Sequence, residues 1–134
     1  MVACGCALLA GCGPLDRAEL GRGVESLSAL AAEGQLLADG VVQDRTRSTH
    51  TRVHAGTLAG DAAHEAQKLA DATVEAGADR ERDEAVAVAQ RLDDALGELE
   101  TFPGGERTAA DVHRALTKIA DDLERLAGRI KDGS

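Results

Sequence analysis

The sequence predicts an all-α protein, an up-down-up-down four-helix bundle preceded by a short apolar leader. Three observations predict it. The 134 residues are 43% hydrophobic yet include a single aromatic, Phe102, so the core must be built from Leu, Val, Ile and Ala. Small aliphatic side chains suit closely approached helices, whereas sheets draw on β-branched and aromatic residues. Apolar residues recur at spacings of three and four in four successive segments, the period of a one-sided helix. The breaks between segments are short and rich in Thr, Ser, Gly and Pro, which makes consecutive helices antiparallel neighbours.

The first helix is expected over about 16–45. Asp16 and Glu19 have the spacing of a capping box. Leu20, Val24, Leu27, Ala31, Gly34, Ala38 and Val41 then form a seam flanked by Leu30 and Leu37. Gly34 and Gly40 mark the expected places for a kink, because each Gly costs about 1 kcal/mol against Ala inside a helix. Thr46, Ser48 and Thr49 read as a connection, since short hydroxyl side chains compete with helical hydrogen bonds. The second helix is expected over 51–76, with an Ala-rich stripe from Ala55 to Ala66 and a stop at Gly77. The third, over 79–101, takes Asp79 as its N-cap and buries Ala85, Val88, Leu92, Leu96 and Leu99. The stretch Phe102-Pro103-Gly104-Gly105 ends it. Thr108 and Asp111 then open the fourth, over 108–131, whose seam Val112, Leu116, Ile119, Leu123, Leu126, Ile130 is the cleanest of the four.

Charge excludes some functions. With 24 acidic against 15 basic residues the net charge is −9, a field that repels a phosphate backbone, so nucleic acid is not an expected partner. The cysteines are Cys4, Cys6 and Cys12, which leaves the bundle itself without a disulfide or a thiolate site. No G-x-S-x-G, P-loop or C-x-x-C-H occurs, and the only Met is Met1. The expectation is therefore no enzyme and no cofactor, covalent or Met-ligated haem included. Asp93-Asp94 and Asp121-Asp122 are paired carboxylates, read as parts of solvated helix faces.

The leader MVACGCALLAGC is apolar, uncharged and too short to span a bilayer as a helix. Its end, Leu9-Ala10-Gly11-Cys12, resembles the lipobox of bacterial lipoproteins, residue for residue. That resemblance implies diacylglycerol on the Cys12 sulfur and cleavage before it. Residues 1–11 would be a signal peptide, or the end of one begun at an upstream start, 12–15 a lipidated tether and 16–134 the bundle. The pattern departs in having no Lys or Arg ahead of the apolar run, which points either to an upstream start or to an unprocessed Cys12. Arginine outnumbers lysine 12 to 3, and with the Ala and Gly abundance this resembles proteins of GC-rich bacteria such as actinobacteria. The stretch Thr51-Arg52-Val53-His54-Ala55-Gly56-Thr57-Leu58 resembles segments of uncharacterised actinobacterial envelope helical proteins, a likeness that implies no activity.

An anchor at Cys12 gives the bundle a direction. The first helix points away from the membrane, so both the first–second and third–fourth connections lie at the distal pole. That pole collects Arg45, Arg47, His50, Arg52 and His54, with Phe102, Arg107 and His113 nearby. Arg45 and Arg47 also have an ordinary use at the C-terminal end of a helix dipole. Phe102 is expected as a lid on the core. The patch is the candidate surface for an anionic envelope component or another protein. His50, His54 and His113 are the one set that could share a metal, though no metal is expected. The predicted role is binding or structural, at the outer face of the cell membrane. The alternatives are a soluble cytoplasmic protein that self-associates through its Ala/Leu seams, and a metal- or haem-binding bundle.

Overall fold

A capping box opens the first helix: the Asp16 carboxylate accepts from the Glu19 N–H at 2.7 Å, and the Glu19 side chain accepts from the Asp16 N–H at 3.3 Å. The computed structural model describes residues 13–104 and 107–133 and contains four helices, α1 (Arg17–Val42), α2 (Ser48–Asp71), α3 (Asp79–Glu100) and α4 (Ala109–Asp132). They form an all-α four-helix bundle. Helix α1 packs most extensively on α4, and α2 on α3; α1–α2 and α3–α4 contacts close the ring. The leader and Cys12 lie outside the described residues.

The core is aliphatic throughout, with Leu20, Leu27, Leu92, Leu96, Leu116 and Leu123 fully enclosed. Alanines fill the α2 side of the core, at Ala55, Ala59, Ala62 and Ala66. Helix α1 is one continuous helix through both Gly34 and Gly40. At Gly34 the missing side chain is what the packing requires. A β-carbon there would lie 2.7 Å from Leu96 Cδ2 and 3.3 Å from Leu116 Cδ1.

Helix α2 differs from its expected bounds at both ends. It begins at Ser48 because Thr51, fully buried, turns its hydroxyl back onto the Arg47 carbonyl at 3.2 Å and so satisfies itself inside the helix. It ends at Asp71, short of 76, because the next residues pair with the N-terminal arm. Leu15 donates its N–H to Thr73 O at 2.8 Å and accepts from the Glu75 N–H at 3.0 Å. Val74 is buried and Leu15 packs on the core, so this bridge seals that pole. Gly77 supplies the turn with φ +87°, a conformation costly for residues with a β-carbon. Its carbonyl accepts from Arg17 at 3.2 Å, and Arg17 also pairs with Glu75 and Glu81. Asp79 is the first residue of α3; the N-cap is Ala78, without a side-chain cap. Thr108 and Asp111 form the capping box of α4.

Helices α3 and α4 are tied by Asp122. Its side chain, 14% exposed, accepts from Arg91 of α3 at 2.9 Å and pairs with Lys118 and Arg125 of its own helix. Burial pushes the carboxyl up, but the hydrogen bonds from Arg91 and Lys118 outweigh it and hold Asp122 below the ordinary Asp value. On α3, burial first, then Asp94 and Glu100, raises Asp93. The two signs differ. A depressed folded-state value gives stability that is present at neutral pH and lost as pH falls through that value; a raised one gives a penalty that protonation relieves. Asp122→Asn should therefore lower the urea midpoint at pH 7, and the gap to the unaltered chain should close below about pH 4, the ordinary Asp range. Asp93→Asn should raise the midpoint at pH 7.

Candidate functional site

The pole opposite the Leu15 bridge carries the C-terminal end of α1, the N-terminal start of α2, the end of α3 and the start of α4. All eight residues of the candidate patch lie in or near these segments, and His113 lines a different groove from His50 and His54. Arg45 is committed locally: its guanidinium pairs with Asp39 at 3.0 Å and its N–H bonds the Gly40 carbonyl at 2.8 Å. Asp39 also accepts from the Gln43 amide, so this cluster closes the end of α1 upon itself. Asp44 follows at φ +54°, the left-handed conformation that turns the chain toward α2.

Arg47 is the N-cap of α2 and makes no side-chain cap bond. The first turn of α2 contains no acidic residue. From Arg45 to Gly60 the chain has no Asp or Glu, so the positive end of the α2 dipole and exposed Arg47 and Arg52 coincide. Arg107 is exposed and directly precedes Thr108, the N-cap of α4. Phe102 is half-buried and lies past Leu99, the last α3 residue of the core.

The histidines are divided by α1. His50 and His54 stack with ring centroids 5.8 Å apart and planes 6° from parallel, facing α1 across a shallow groove lined by Glu33, Leu36, Leu37 and Thr46. His54 Nε2 is 3.7 Å from Glu33 Oε2. His113 lies on the other side of α1, in the α1–α4 groove with Ala32, Gln35, Leu36 and Asp39. The three-histidine metal set is thus not assembled. Among the described residues, no group of three or more His, Cys, Asp or Glu side chains is placed to hold a metal ion. Height along the bundle brought His113 level with the others; only the phase of α4 could have shown that it faces the opposite groove.

Between the two grooves stands Leu36, 74% exposed, and Val53 on α2 is 69% exposed. Sequence reasoning passed over both, along with Glu33. Leu36 was visible as a large apolar residue of α1 that falls off the seam, as does Val42 at the end of the helix. Among the described residues, no helix is long and apolar enough to cross a membrane. No protein-family model, curated protein or solved structure matches the chain.

Proposed function

We infer that the protein is a lipid-anchored, extracytoplasmic helical module with a binding or structural role at the cell envelope. The observation that carries this reading is Leu9-Ala10-Gly11-Cys12 followed at once by Gly13-Pro14 and the start of the folded domain. Two acyl chains give stable membrane anchoring where one is marginal, so a diacylated Cys12 suffices without a spanning helix. The bridge of Leu15 to Thr73 and Glu75 adds a geometric consequence. Only Gly13 and Pro14 lie between Cys12 and this fixed point, three steps along the chain and a reach of about 10 Å at full extension. The bundle would sit against the headgroups with the α2–α3 turn beside them and would present its distal pole outward.

The pole that would face outward holds the start of the acid-free run, which begins at Arg45 and continues to Gly60 midway along α2, in a chain of net charge −9. Exposed Arg47 and Arg52 suit an anionic envelope polymer or the acidic face of another protein, and recognition by them would weaken with salt.

Cys12→Ser tests the anchor. Expressed in a bacterium, the unaltered chain should partition with the membrane fraction and the variant should not. A chain found in the cytosol regardless of residue 12 would overturn the reading and favour the cytoplasmic alternative.

A further inference from the structure

The stacked histidines carry chemistry that the candidate patch does not use. His50 and His54 are four residues apart, an axial rise of about 6 Å in an α-helix. Their ring separation of 5.8 Å and near-zero interplanar angle mean that both side chains leave α2 in the same direction. Both enter the same α1–α2 groove. Two histidines at i and i+4 on one helix face are the chelating pair found in helical zinc sites. The ring nitrogens bind in the ring plane, so the stacked pair reaches a common ion by rotating about χ1 and χ2, which the exposure of His50 and the partial exposure of His54 leave free to do.

We propose that His50 and His54 form a two-histidine chelate for a borderline divalent transition-metal ion, of the Cu²⁺, Ni²⁺ or Zn²⁺ class. Imidazole nitrogen selects these ions, while Mg²⁺ and Ca²⁺ require oxygen cages that this groove lacks. Water fills the remaining coordination positions, so the site is open. Glu33, 3.7 Å from His54 Nε2, supplies the nearest compensating negative charge. The α2 N-terminus and Arg47 oppose a cation, which limits affinity and makes the paired imidazoles indispensable.

The test is a Cu²⁺ titration of the full chain by calorimetry, in a background where Cys4, Cys6 and Cys12 are changed to Ser so that thiolates do not compete. One saturable equivalent is expected. His50→Gln and His54→Gln should each weaken it by at least about tenfold, the loss of one arm of a bivalent grip. Glu33→Gln should weaken it less, and His64→Gln and His113→Gln should leave it unchanged. Because the pair is preorganised only in the folded helix, Cu²⁺ should also raise the thermal midpoint, and this rise should vanish in His50→Gln. Absence of saturable binding, or binding untouched by His50→Gln and His54→Gln, overturns the proposal. So does binding that moves with His64 or His113.

Discussion

Leu116→Ala is expected to destabilise the bundle by about 2–5 kcal/mol, the range for deleting a buried leucine side chain. The upper half of that range is the better expectation. Leu116 is fully enclosed, and its Cδ1 faces the bare backbone of Gly34 on α1. A hole left there is bordered on one side by a residue with no side chain to move into it. The core also lacks aromatic or Met residues that could swing across to fill it, since Phe102 lies past its end. Urea unfolding would read the effect as a fall in midpoint with an unchanged slope, because the surface exposed on unfolding stays nearly the same. For a domain of ordinary stability, about 5–15 kcal/mol, the loss removes a large share.

Gly34→Ala should also destabilise, by about 1–3 kcal/mol from overpacking set against a gain of about 1 kcal/mol in helix propensity. The new methyl would meet Leu96 Cδ2 at 2.7 Å and Leu116 at 3.3 Å, and both leucines are fully buried, so neither can step aside freely. Gly60→Ala is the matched comparison. Gly60 lies in the interior of α2, is exposed and has nothing within 4 Å of where a β-carbon would stand. The same chemical change there should stabilise by about 0.5–1 kcal/mol. Opposite signs for the two variants in parallel thermal melts would show that Gly34 is a packing residue. Equal signs would remove the close α1–α3–α4 approach from the account.

That pair also shows what local sequence could and could not convey. Periodicity located four helices, and the α4 seam from Val112 to Ile130 is buried at every position named for it. Both capping boxes were readable, because Asp16–Glu19 and Thr108–Asp111 are contacts over three residues. Features that depend on a distant partner were not. Gly34 looks like a helix breaker until Leu96 and Leu116 are brought against it. The end of α2 at Asp71 depends on Leu15, far off in the chain. Of the cations around Asp122, Lys118 and Arg125 sit at helical spacing, but Arg91 comes from α3. The same limit governed the candidate site. The pole opposite the Leu15 bridge could be assembled from helix direction alone, while the separation of His113 from His50 and His54 depends on which groove each helix face meets.

The orientation of the whole arrangement rests on Cys12, and the intact mass of the protein recovered from a bacterial membrane tests it most directly. The account predicts a chain that has lost residues 1–11 and carries a diacylglycerol mass on Cys12. A chain that retains Met1 with an unmodified Cys12 would contradict it.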